Sequence, residues 1–306
     1  MDALSQLLAL YPLRTALQVR CQYAAPWIID HAAVEPGIAP YHLLVSGAAI
    51  LVSDVGPSIP LQAGDIVVFP QGSAHRILTE HAEQATPEIL SKQAHVLPQL
   101  SNGGTGPRSE ILCGEFAFDD AGSKVLLHAL PALMHVRTAG RTDFAGLSSL
   151  IAMLHMESEA MRPGAATVLA QLSSALFALI IRAWLEQAGG SPGLFALLAE
   201  RRLQAALLAM LNKPGHNWTL ENMAALCHMS RATFTRLFAR IAGVTPATVL
   251  LQIRMSHAAA LLNQGKRNTG DVAAAVGYQS EAAFNRVFKS YFEQTPGAYR
   301  KQKRTV

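Results

Sequence analysis

Residues 230–246, SRATFTRLFARIAGVTP, return fifty positions later as SEAAFNRVFKSYFEQTP at 280–296. Ser230/Ser280, Ala232/Ala282, Phe234/Phe284, Arg236/Arg286, Phe238/Phe288, Thr245/Thr295 and Pro246/Pro296 coincide, and just upstream MAALCHM aligns with AAAVGYQ. A stretch that recurs in this way folds as one supersecondary unit used twice. No other feature narrows the possible architecture as far.

Each copy reads as helix-turn-helix. In the second, Asp271 stands at the start of a short helix, Gly277 suits the left-handed residue that ends it, and Ser280 caps the next helix. Phe284, Val287, Phe288 and Tyr291 then form one buried stripe at helical spacing, matched in the first copy by Phe234, Leu237, Phe238 and Ile241. The opposite faces carry Arg231, Ala232, Thr235, Arg236 and Arg240 in the first copy, and Glu281, Ala282, Asn285, Arg286 and Lys289 in the second. Small and polar residues let such a helix enter a major groove, where Arg and Asn read base edges. Arg240, Lys289 and the tail RKQKR at 300–304 suit phosphates. A helix over about 248–263 joins the copies and sets them for successive grooves of one duplex.

A lone pattern of this kind also describes an ordinary helical hairpin. Two copies in phase, placed together on a basic domain, separate the two readings. Residues 1–198 carry 10 Lys and Arg against 16 Asp and Glu, whereas residues 199–306 carry 15 against 5. The repeat therefore lies in a strongly basic third, on an acidic body, as a partner for a polyanion should. The stretch DVAAAVGYQSEAAFNRVFKSYFEQTPGAYRK closely resembles the signature of the AraC/XylS family of bacterial transcription regulators, over about 199–303. It departs at Glu293, where the family usually has Gly. The resemblance implies base contacts from Ala232, Thr235 and Arg236 and from Glu281, Ala282, Asn285 and Arg286. It also implies promoter DNA and RNA polymerase as partners, a homodimer, and activation as the commoner role.

The first third is built differently. YHLLVSGAAILVS, IPL, DIVVF and ILCGEFAF read as short strands, and residues 81–110, with SNGGTGPRS, as a loop insertion. From about Phe144 the period becomes helical, with one helix through SSLIAMLHMESEAM and a second from after Pro163 to the Gly189-Gly190 break. Gly64 to His75 fits the cupin motif G-x5-P-x-G-x2-H at every fixed position. The remaining metal ligands of that family are missing: Pro40 stands where its glutamate belongs, and its H-x-H pair falls near Ala33 and Glu35. No nucleophile elbow, phosphate loop or zinc-spaced cluster replaces them. A metal-dependent cupin enzyme is thus the distant alternative, and no cofactor is expected. His42 shares the inward phase of its strand with Pro40, and His31 is a third imidazole, so His31, His42 and His75 are candidates for an effector pocket or a noncanonical metal site.

The barrel segments are similar to the ligand-binding domain of cupin-type AraC regulators, and most similar to those that respond to reactive chlorine species. The shared features are the MDALS opening, His31, His42 and His75, Cys21 and the CG pair at Cys113. That resemblance implies oxidation sensing, by hypochlorous acid for example, at Cys21 and Cys113. A thiolate is the species an oxidant attacks, so Arg20 beside Cys21 is expected to favour reactivity and the apolar strand around Cys113 to blunt it. The alternatives are two inert buried thiols beside a pocket for a small organic effector. Cys227 is read as structural.

The expectation is an α+β multidomain chain: a cupin-like sensor barrel over 1–125, a helical linker and dimerisation segment over 126–198, and an all-α DNA-binding domain over 199–306. No membrane segment, secretory signal or disulfide framework is evident from the sequence, so a cytoplasmic regulator is expected.

Overall fold

The computed structural model describes residues 2–10, 13–91, 96–118, 127, 130–159, 161–187 and 193–302. They form two compact units. One holds residues 13–119 and 130–187, the other residues 1–12, 120–129 and 188–306.

Among the described residues of the first unit, eleven strands make two sheets. In chain order they are β1 (Leu13–Ala24), β2 (Ile28–His31), β3 (Ile38–Ser46), β4 (Ala48–Ser53), β5 (Gly56–Gln62), β6 (Ile66–Val68), β7 (His75–Leu78), β8 (Glu88–Leu90), β9 (Gln99–Asn102), β10 (Arg108–Phe118) and β11 (Met134–Val136). The larger sheet runs β11-β6-β3-β10-β1-β9-β8 and the smaller β2-β7-β4-β5. The core between them gathers Cys21, Tyr23, Trp27, Leu44, Leu51, Val67, Phe69, Ile77, Ile111 and Cys113. β3 is buried almost throughout, so it reads as a run of apolar residues rather than an alternation. The motif glycines Gly64 and Gly72 take left-handed turns at φ +91° and +67°, which a β-carbon would strain. Residues 81–110, expected as a loop, instead add β8 and β9 to the larger sheet beside β1. Their mixed polar sequence hid them because both lie near a sheet edge, where neither face needs an apolar run.

Two helices complete this unit, α2 (Ala145–Glu159) and α3 (Ala165–Gln187). α3 is long and apolar enough to span a bilayer by composition. Its Leu176, Phe177, Ile180 and Ile181 are nevertheless buried, with Phe177 packed on Phe116 and Phe118 of β10. These helices thus pack with the barrel, whereas the sequence boundary had set them apart in a 126–198 segment. The Gly189-Gly190 break lies outside the described residues.

The second unit opens with α1 (Ala3–Leu10), whose Ala3 and Leu7 are buried against α5 (Gln204–Asn212) and α8 (Pro246–Asn263), so the first residues do not belong to the barrel. Around α5 and α8 stand α4 (Leu194–Ala199), α6 (Leu220–Leu226), α7 (Arg231–Ala242), α9 (Thr269–Ala275), α10 (Glu281–Phe292) and α11 (Pro296–Gln302). Met255, Ala258, Leu262, Val272, Phe284, Phe288 and Tyr299 form the core of its second half.

Candidate nucleic-acid interface and thiol-histidine site

The repeat folds as two helix-turn-helix units, α6–α7 and α9–α10. Ser230 and Ser280 cap their second helices, each hydroxyl accepting from the backbone N–H three residues on. The cap of α9 is Asn268, with Asp271 in the first turn rather than at the start. α7 buries Phe234, Leu237, Phe238 and Ala242, and α10 buries Phe284, Phe288 and Phe292, while Ile241, Val287 and Tyr291 are half-buried. The joining helix α8 begins at Pro246, two residues before the expected start, because Thr245 caps it and proline suits the first helical position.

Arg231, Ala232, Arg236 and Arg240 on α7, and Glu281, Ala282, Arg286 and Lys289 on α10, are exposed; Thr235 and Asn285 are half-buried. Arg231 is paired with Glu221 of α6 at 2.9 Å and Thr235 donates to the Arg231 carbonyl, so these two start from existing partners. The Asn285 Oδ1 is buried with no hydrogen-bond partner, while the neighbouring Arg286 is exposed. Arg300 donates to the Arg267 carbonyl, and Lys303 and Arg304 of the basic tail lie outside the described residues.

In the barrel, strand register gathers the residues that the sequence could only nominate. Cys113 of β10 lies directly opposite His42 of β3, and His31 of β2 directly opposite His75 of β7. Cys21 of β1 pairs with Ile111, one step diagonal to Cys113, whose own partner is Val19. All five side chains point between the sheets. Their connections are specific: His42 Nδ1 lies 3.0 Å from Cys113 Sγ, His42 Nε2 2.7 Å from His75 Nε2, and His75 Nδ1 2.8 Å from the Ser73 carbonyl oxygen. His75 is stacked between Phe69 and His31. The His31 Nδ1 meets the Ala32 carbonyl, turning that ring away from a common centre with the other two. Among the described residues, the group whose metal-binding atoms converge within 4.8 Å is elsewhere, Glu110, His155 and Glu159, and there the Arg20 guanidinium already holds both carboxylates at 2.5 and 2.6 Å.

Arg20 therefore does not serve Cys21. Neighbours on a strand point to opposite faces, and the Arg20 side chain lies with α2 on the outer face of β1. The Cys21 thiol is lowered by other groups. A hydrogen bond from Cys113 contributes most, then one from Tyr23, against the opposing effects of burial and the Glu88 carboxylate. Cys113 is raised well above an ordinary thiol by that same hydrogen bond and by its enclosure. Burial drives both His42 and His75 down, His75 to about 4. Tyr23, which donates a short hydrogen bond to Glu88, and Glu88 itself are functional candidates the sequence missed, since Glu88 sat in the supposed loop. A cavity of about 370 Å³ opens beside them, lined by Cys21, Tyr23, Asp30, His31, His42, Glu88 and Cys113 among others. Cys227, in the other unit, is half-buried at the end of α6 and raised by desolvation.

A cupin family model matches residues 2–186 and a helix-turn-helix domain model matches residues 223–302. The chain is 32% identical to the RCS-specific HTH-type transcriptional activator RclR of Escherichia coli K12, over all of this chain and 99% of that protein. It is 30% identical to an HTH-type transcriptional regulator of Haemophilus influenzae, over 98% and 99% of the two chains. It is also 30% identical to the HTH-type transcriptional regulator MtrA of Neisseria gonorrhoeae, over 99% of both.

Proposed function

The chain belongs to the AraC family of DNA-binding transcription regulators with an N-terminal cupin domain, and on that premise we propose that its barrel senses oxidants through Cys21 and Cys113. It is a regulator and not an enzyme. The single observation that carries the sensing proposal is the asymmetry of the buried thiol pair. Cys21 is the thiol lowered by a hydrogen bond from Cys113, Cys113 is raised by the same bond, and both line one cavity. An attacking thiol needs thiolate character and access, and a resolving thiol needs proximity. Cys21 meets the condition of thiolate character, the cavity that both sulfurs line supplies access, and Cys113 is the neighbouring thiol that resolves.

The name of the Escherichia coli relative supplies the oxidant class and the direction of control, reactive chlorine and activation. Diagonal neighbours on antiparallel strands have Cα atoms roughly 7–8 Å apart, just outside the span of about 4.4–6.8 Å that a disulfide accepts. Closing the Cys21–Cys113 bond would draw β1 along β10, and oxidation acts through that displacement to bias the DNA-bound state. The chain works as a cytoplasmic homodimer on promoter DNA and recruits RNA polymerase. The exposed Met153 and Met156 of α2 and Val168 of α3 support α2 and α3 as the dimer surface. A second reading is favoured by the cavity itself, whose Asp30, Tyr23 and Glu88 suit a small polar organic effector.

A promoter reporter treated with hypochlorite or peroxide decides between them. Cys21→Ser should abolish induction and Cys113→Ser should weaken it. Full induction in the double variant would sink the thiol mechanism and leave the effector reading.

A further inference from the structure

The hydrogen bonds in the barrel fix where each proton sits. The Ser73 carbonyl only accepts, so His75 Nδ1, 2.8 Å away, carries a hydrogen. Burial keeps both imidazoles neutral, with one N–H each. His75 Nε2 is then a bare lone pair, and His42 Nε2, 2.7 Å from it, must be the donor. That uses the only hydrogen on His42. Its Nδ1 is a second bare lone pair, 3.0 Å from Cys113 Sγ, and the Cys113 thiol is the donor that satisfies it. Stacking between Phe69 and His31 holds the His75 ring in this orientation.

The Cys113 hydrogen thus has two acceptors, the Cys21 sulfur and His42 Nδ1. While Cys21 is a thiolate it takes that hydrogen bond. Once Cys21 has been oxidised that acceptor is lost, and His42 Nδ1 remains as the acceptor for the buried Cys113 thiol.

Resting on the thiol-sensing reading above, we propose that His42 and His75 are a proton relay that deprotonates Cys113 as the Cys21–Cys113 disulfide closes. With hypochlorous acid as oxidant, the Cys21 thiolate attacks chlorine, an S–Cl bond forms, the Cl–O bond breaks, and hydroxide leaves to become water. The Cys113 sulfur then attacks the Cys21 sulfur; the S–S bond forms, the S–Cl bond breaks, and chloride leaves. In the same step the Cys113 proton passes to His42 Nδ1 while the His42 Nε2 proton passes to His75 Nε2. The two thiols are oxidised together by two electrons, and the chlorine is reduced to chloride. The His75 imidazolium so formed faces Asp30 and His31 of β2 and His42 of β3; Tyr23, Glu88 and Cys113 surround the sulfur end. Asp30 favours the transient charge and the cavity offers the proton a way out.

The test uses the full-length protein, rapid mixing with one equivalent of hypochlorite, and mass spectrometry of the disulfide and of Cys21 sulfenic acid trapped with dimedone. His75→Gln is the informative variant, because its side-chain oxygen still accepts from His42 Nε2 but takes no proton. Disulfide closure in H75Q should slow on the order of 100-fold, as for loss of a general base; water then displaces chloride from the stalled Cys21 S–Cl group, releasing a proton, and the resulting Cys21 sulfenic acid accumulates in trapped form. Closure at the wild-type rate would overturn the relay. The wild-type protein gives an independent readout should H75Q misfold: closure rates in mixtures of light and heavy water should bow downward, as two protons in flight require, and a linear or absent dependence would overturn the relay too. Should wild-type Cys21 not be consumed at all, the thiol-sensing reading itself fails, an outcome separate from normal closure in H75Q.

Discussion

Gly215 and Gly277 lie backbone to backbone where the two helix-turn-helix units meet. A β-carbon on Gly277 would stand 2.7 Å from the Gly215 carbonyl oxygen, and one on Gly215 would stand 2.5 Å from that of Ala275. Arg254 of α8 closes the same junction by donating to the carbonyls of Pro214 and His216 at 2.8 and 2.9 Å. The spacing of the two recognition helices is thus held by a glycine contact and a guanidinium clamp as well as by the joining helix. Gly215→Ala should cost about 1–3 kcal/mol, the range for overpacking. Gly277→Ala should cost more, because its φ of +87° is also unfavourable to a side chain. Chemical denaturation measures both, and the double half-site footprint should weaken in parallel.

Glu293 ends α10 in the left-handed conformation at φ 59°, the role Gly243 plays in the first unit. Left-handed backbone at a residue with a side chain costs about 1–2 kcal/mol, and glycine returns part of that gain as unfolded-chain entropy. Glu293→Gly should therefore raise stability by up to about 1 kcal/mol, read as a higher Tm. A lower Tm would mean that the carboxylate makes a contact worth more than the strain.

Arg236 and Arg286 occupy equivalent positions on the two exposed faces, whereas Arg240 and Lys289 lie one turn further along. Arg236→Ala or Arg286→Ala should cost roughly 1–3 kcal/mol on the cognate site and relax its sequence preference. Arg240→Ala or Lys289→Ala should weaken all sequences alike and reduce the salt slope by about one each. Gel-shift titrations at several salt concentrations separate the two classes.

The histidines make the barrel sensitive to acid. His75 is held at about 4 against an ordinary 6.5, and His42 is also lowered well below 6.5, both chiefly by burial. A depressed imidazole contributes stability that is present above pH 6.5 and is lost as pH falls towards 4. Between pH 7 and pH 5 the barrel should lose about 2 kcal/mol from His75 alone, and His42 acts in the same direction. Urea unfolding at the two pH values checks this, and a barrel equally stable at both would contradict the buried neutral assignment.

The repeat and its caps were legible in the sequence because they are local: Ser230, Ser280 and the phenylalanine stripes act within a few residues of themselves. The cupin turn from Gly64 to His75 was legible for the same reason. What escaped was register. Only the pairing of β10 with β3, some seventy positions apart in the chain, sets Cys113 against His42. The role given to Arg20 failed on a simpler point, since adjacency along a strand separates two side chains, and the ion pairs of Arg20 with Glu110 and Glu159 are on the other side of the sheet from Cys21. Glu88 was missed because edge strands carry no apolar signature.

The basic third of the chain has a consequence for how a signal is spent. With 15 Lys and Arg against 5 Asp and Glu in residues 199–306, such a surface holds to any duplex through phosphate contacts, at non-specific dissociation constants of about 10⁻⁴–10⁻⁶ M. A genome offers on the order of 10⁶ or more such sites. On the sensing proposal above, the regulator is therefore already on DNA when its signal arrives, and the signal redistributes a bound population among addresses rather than recruiting a free one.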